Sequence, residues 1–69
     1  MEIKINGNPK SITVETRTVK DILLLEGFVL PIKGIAVAVN EKLVPQSEWQ
    51  LTEIQEQDRV DILTAFQGG

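Results

Sequence analysis

Only one segment of the chain has a helical period, and it is long enough to cover just one face of a sheet. It opens at Thr18, a good N-cap residue, with Asp21 three positions on as in a capping box. Val19, Ile22 and Leu23 follow near one face, joined by Glu26, with Lys20 and Asp21 opposite. Gly27 stands where a left-handed C-cap belongs, and apolar Phe28 comes next. Leu24 and Leu25 broaden the stripe. Either both lie against the Phe28 to Pro31 loop or one of them is exposed.

The rest alternates with a period of two. Ile3 and Ile5 alternate with Glu2 and Lys4, the pattern of a half-buried strand. Asn6-Gly7-Asn8-Pro9 reads as a turn, and Ile12 and Val14 then alternate with Ser11, Thr13 and Glu15 as a second strand. Ile35, Val37 and Val39 share one face of a third strand, with Ala36 and Ala38 on the other. Asn40-Glu41 turns tightly into a short fourth strand, Lys42-Leu43-Val44, which Pro45 ends. Ser47 is placed to cap a brief helical turn holding Glu48 and Trp49. Leu51 and Ile54 are expected to pack beneath the long connection. Asp58 to Ala65 forms the last strand, with Val60 and Ile62 inward and Arg59, Asp61 and Leu63 outward.

The order is β-β-α-β-β-β. One helix must cover one face of a mostly antiparallel sheet, and the compact solution sets the last strand parallel to the first. This predicts an α+β, β-grasp (ubiquitin-like) domain: a mixed sheet of four to five strands packed on one main helix. The expected domain is 1–66, with 67–69 a flexible tail. At 69 residues there is room for one core and no large internal cavity.

Composition narrows the chemistry. The chain has no cysteine and no histidine, which excludes disulfides, thiolate nucleophiles and imidazole acid–base work. The ten carboxylates show no paired spacing suited to acid–base work, no metal site is expected, and no glycine-rich phosphate loop is present. Residues 1–34 carry five basic and four acidic side chains (+1), and residues 35–69 carry two and six (−4), for a net charge of −3. An acidic C-terminal half speaks against nucleic acid or an anionic membrane as partner. It suits either steering toward a basic partner or a solvated face. The N-terminus lacks an apolar run of signal-peptide length, and Ile35 to Val39 is too short to span a bilayer. The expectation is a soluble, cytoplasmic protein, monomeric when free.

The sequence closes on Gly68-Gly69. Without side chains, such a tail can be threaded into a narrow active site, which makes the terminal carboxylate the candidate reactive group. Leu63 faces outward next to this tail, and an apolar patch there would suit docking to a partner. Phe66 shares the parity of Val60 and Ile62, so core and surface readings both stand. With Gln67 it completes the candidate partner-binding set. Trp49 reads as a packing residue over a long connection in preference to a partner hot spot.

Val37-Ala38-Val39-Asn40-Glu41-Lys42-Leu43-Val44-Pro45-Gln46-Ser47-Glu48-Trp49 resembles the sulfur carrier proteins of thiamin biosynthesis. The Thr18 to Leu25 helix, the Asp58 to Leu63 strand and Gly68-Gly69 are similar to that family as well. The small subunit of molybdopterin synthase shares the fold and the diglycine, but the Val-Asn-x-x-x-Val-Pro-x-x-x-Trp pattern at Val39 to Trp49 is closer to the thiamin branch. Two positions depart: Gln46 stands where a basic residue is common, and Gln57 where glycine is usual, suggesting a different turn type. The resemblance implies a carrier and cosubstrate with no catalytic side chain of its own. An E1-like adenylating enzyme would use Mg-ATP to join Gly69 to AMP, and this chain would bind no cofactor itself. A persulfide donor would then convert Gly69 to a thiocarboxylate, and thiazole synthase would take up the sulfur. The alternatives are a ubiquitin-like modifier and an interaction module with an unmodified tail.

Overall fold

The computed structural model describes residues 1–13, 15–29 and 33–64. Val14, Leu30, Pro31, Ala65 and the tail residues Phe66, Gln67, Gly68 and Gly69 lie outside them. The elements are β1 (Glu2–Ile5), β2 (Asn8–Ser11), α1 (Val19–Leu25), β3 (Ile35–Val39), β4 (Lys42–Val44), a 3-10 turn (Gln46–Glu48) and β5 (Arg59–Thr64). The sheet has five strands in the order β2-β1-β5-β3-β4. The first and last strands are parallel, and the other pairs are antiparallel. This is the expected β-grasp arrangement.

The N-terminal hairpin differs from the sequence reading in its register. The turn consists of Asn6 and Gly7 alone, with φ 50 and 83. Both residues are left-handed, as a two-residue hairpin loop of this twist demands. Ile5 therefore pairs with Asn8, and β2 begins at Asn8 instead of after Pro9. Met1 and Ile12 exchange both main-chain hydrogen bonds, at 2.8 and 2.9 Å. Alternation from that pair makes Lys4↔Pro9 a non-hydrogen-bonded pair, so the missing proline N–H costs no ladder bond. Ile12 lies just past β2, yet it keeps the expected parity and is buried.

Helix α1 has its ends closed by main chain and side chain. The Val19 and Lys20 N–H groups donate to the carbonyls of Thr52 and Trp49. The Asp21 N–H donates to Thr18 Oγ1, and the Thr18 N–H to Asp21 Oδ2. All four N-terminal donors are thus satisfied. At the other end Gly27 (φ 97) donates to Leu24 and Phe28 to Leu23, the bond pair of a Schellman motif. Leu24 and Leu25 are both exposed.

The core lies between α1 and one face of the sheet. It comprises Ile3, Ile5, Ile12, Val19, Ile22, Leu23, Val37, Val44, Trp49, Ile54, Val60 and Ile62. Trp49 is buried, and its indole N–H donates to the Val44 carbonyl at 3.0 Å. It packs over the long connection, as expected. Two expectations for that connection fail. Leu51 is 76% exposed, because its main chain closes a turn onto the Glu48 carbonyl and leaves Ile54 as the buried anchor. Pro45, not Ser47, occupies the N-cap of the 3-10 turn, with no side-chain cap.

Gln57 takes φ 70, a left-handed conformation that glycine adopts without strain. The Gln57 N–H donates to the Glu2 carbonyl at 2.7 Å, tying this turn to β1. Gln57→Gly should therefore raise stability by about 0.5–1 kcal/mol. Thermal unfolding checks this, and an unchanged or lower Tm counts against strain at this turn.

The Asp21 carboxyl is held below its ordinary pKa, chiefly by the Arg17 main-chain N–H, with the N–H and hydroxyl of Thr18 and the charge of Lys20 assisting against burial. A depressed folded-state pKa stabilises the fold above the unfolded value, near 3.9 for Asp, and that stability is lost as pH falls through the lower folded value. Asp21→Asn should lower stability at neutral pH and weaken its fall below about pH 4. Denaturant titrations at a series of pH values would show this, and parallel curves for mutant and wild type would contradict it.

Candidate functional site

Side-chain parity divides the sheet into a covered and an open face. Val60, Ile62, Val37 and Val44 point toward α1, so Arg59, Asp61, Leu63, Ala36, Ala38 and Leu43 lie on the open face. The register places Leu63 opposite Ala36 and Leu43 opposite Ala38. Leu63 and Leu43 are 65% and 72% exposed, and the two alanines between them are half-buried. The result is an apolar strip across β5, β3 and β4, ending near the point where β5 leaves the sheet. The β1 side of the same face carries Glu2 and Lys4 instead.

The sequence reading placed Leu63 correctly but missed Leu43. The signal was available, since Leu43 precedes the inward Val44 by one residue on a strand reached through a tight turn. Phe66, Gln67, Gly68 and Gly69 lie outside the described residues.

Arg59 pairs with Glu41 at 2.6 Å beside the Asn40-Glu41 turn. Both partners are well exposed, so the pair contributes little to stability. The Asn40 amide is the firmer link. It donates to Asp58 Oδ1 at 2.9 Å and accepts the Arg59 N–H at 3.0 Å, tying the β3–β4 turn to the start of β5. Asp58 is buried, and its other carboxylate oxygen accepts the Gln55 N–H at 2.7 Å.

Among the described residues, no group of three or more acidic, histidine or cysteine side chains could hold a metal ion. No described helix is long and apolar enough to cross a membrane. A depression of about 200 Å³ is lined by Met1, Arg17, Glu53, Ile54 and Gln55. These residues lie where β1 and β5 begin, at the opposite end of the sheet from the last described residue, Thr64.

A family model described as the ThiS family matches residues 3–69. The chain belongs to the ThiS family. This is the group that the Val37 to Trp49 segment resembles, and the chain is a ThiS-like sulfur carrier. A crystal structure of thiamine biosynthesis protein ThiS from Geobacter metallireducens superposes with a TM-score of 0.81 at 21% identity, covering 100% of each chain. A solution NMR structure of a thiamine biosynthesis protein from the same organism gives a TM-score of 0.78 at 20% identity, covering 100% of this chain and 88% of the other. At such identity the structures speak for the fold. No curated protein matches.

The open strip makes Leu63 the side chain to test. Leu63→Glu should leave the Tm within a few degrees of wild type, because the side chain is already in water. It should weaken binding to an E1-like adenylating enzyme by about tenfold or more, since the acid must be desolvated in an apolar contact. Calorimetric titration of that enzyme measures this, and equal affinity would remove Leu63 from the interface.

Proposed function

We propose that this ThiS-family chain carries sulfur for thiazole formation in thiamin biosynthesis as a thiocarboxylate on Gly69. The observation that carries the reading is the family match, which runs through residue 69 and so includes the diglycine. The alternative of a molybdopterin synthase small subunit gains no such support.

The chemistry follows from what a carboxylate lacks. Hydroxide is a poor leaving group, so the free carboxylate is a poor electrophile. An E1-like enzyme supplies the missing step by transferring AMP from Mg-ATP to the Gly69 carboxylate, releasing pyrophosphate. A persulfide then attacks the acyl carbon and expels AMP. A second thiol reduces the resulting acyl disulfide and leaves the thiocarboxylate. This chain has no cysteine, so persulfide and thiol both come from partners. Thiazole synthase takes the sulfur in turn. The domain is carrier and cosubstrate: its fold supplies a docking face, and its terminus supplies the reacting atoms.

Incubation with an E1-like adenylating enzyme, Mg-ATP and a persulfide donor should exchange one terminal oxygen for sulfur. Intact mass detects the exchange, and fragmentation should place it on Gly69. Deletion of Gly69 should abolish it at unchanged thermal stability. Gly68→Val should impair it, because a β-branched residue stiffens and widens the tail. Attachment to lysines without sulfur transfer would favour a protein modifier, and failure of the wild type to be adenylated would favour an interaction module.

A further inference from the structure

The parallel ladder between β1 and β5 ends in a way that singles out one residue. Lys4 N–H donates to the Asp58 carbonyl at 3.0 Å, and Asn6 N–H to the Val60 carbonyl at 2.9 Å. The next rung of a regular parallel ladder would run from the Ile62 N–H to the main-chain carbonyl of Asn6. Asn6 is the first residue of the left-handed hairpin turn, and the paired register stops at Ile5↔Val60. The Ile62 N–H instead donates to the side-chain carbonyl, Asn6 Oδ1, at 2.7 Å. The amide of Asn6 thus extends the ladder by one rung after the main chain of β1 has turned away.

Ile62 sits two residues before the last described residue, Thr64. On the other flank, β3 follows β5 as far as Ile35↔Thr64. On the β1 flank, Asn6 Oδ1 makes the last hydrogen bond to β5 among the described residues. Ile62 is seven residues before Gly69 in the sequence, at most about 25 Å of chain. Ile62 therefore lies in the last part of β5 that the sheet holds before the chain runs on toward Gly69 in sequence.

We infer that Asn6 is a positioning residue for the reaction at Gly69: its side-chain carbonyl holds Ile62 and so sets the direction in which the reactive terminus is presented to the adenylating enzyme. The inference rests on the sulfur-carrier reading above. Asn6 touches no reacting atom. Its own side chain is exposed, and asparagine tolerates the left-handed turn while offering the acceptor, a combination glycine lacks.

The test compares Asn6→Gly with Asn6→Asp in the full chain. Glycine keeps the left-handed turn and removes the acceptor, whereas aspartate restores an acceptor oxygen. In Asn6→Gly the Ile62 amide should exchange with solvent about tenfold faster, consistent with the loss of one hydrogen bond, and the Val37 amide should not change. Pyrophosphate release by an E1-like adenylating enzyme should show kcat lowered roughly tenfold, because a docked domain presents a misdirected terminus. The affinity of that enzyme for the domain should stay within about twofold, since the open face is intact. Asn6→Asp should recover both exchange protection and kcat.

Unchanged Ile62 exchange in Asn6→Gly overturns the anchor. Faster exchange with wild-type kcat, or a loss confined to affinity, overturns the positioning role and leaves Asn6 a structural residue. A wild-type chain that is not adenylated overturns the sulfur-carrier reading and the positioning role with it, while the exchange measurement still decides the anchor.

Discussion

The parallel contact between β1 and β5 is the constraint on which the rest of the structure depends. It joins Lys4 and Ile5, near the start of the chain, to Arg59 and Val60. Closing so long a loop costs entropy before any contact offsets it, although the cost grows only slowly with loop length. What offsets it is the layer that forms when the two strands meet. Ile3, Ile5, Val60 and Ile62 form a continuous apolar floor, and Val19, Ile22 and Leu23 of the single helix cover it. Every other element is arranged around that pair. β2 and β4 hold the two edges, and β3 shields β5 on its second side.

β5 lies in the middle of the sheet, paired with β1 at its start and with β3 through Thr64. This arrangement suits the proposed carrier role, in which a sheet-held body presents a fixed face to a partner. The apolar strip of Leu63, Ala36, Ala38 and Leu43 needs β3 in register with β5 and β4, so it depends on the same sheet as the core. A substitution such as Ile62→Asp would bury an unpaired charge and remove both together.

The sequence was most legible where local chemistry is unambiguous. The Thr18–Asp21 capping box, the Gly27 C-cap and the Asn40-Glu41 turn are short-range devices, and each appears where the residues indicate it. Parity along β3 and β5 was equally readable, since one face of each strand is buried. Two things were not. The register of the first hairpin turned on whether Pro9 belongs to the turn or the strand. That depends on β2 being an edge strand and on Pro9 falling at a non-hydrogen-bonded position, both properties of the assembled sheet. In the irregular connection from Pro45 to Asp58 no period applies, so Leu51 and Ile54 look alike in sequence and only one is buried.

The proposed reactive group rests on a different kind of argument, from what the chain lacks as much as from what it has. A domain of this size has one thin core. Without cysteine or histidine it has neither a thiolate nor an imidazole with which to activate an acyl group. Acyl activation needs a good leaving group and a site that stabilises developing charge, and both require convergent groups around the reacting carbon. In the proposed sulfur-carrier scheme, an electrophile on Gly69 lets larger partners supply those groups in turn. The small domain then needs only two properties, a surface that partners can recognise and a strand that delivers its end in a defined direction. The open strip answers the first, and the doubly paired β5, with Asn6 at its last rung, answers the second.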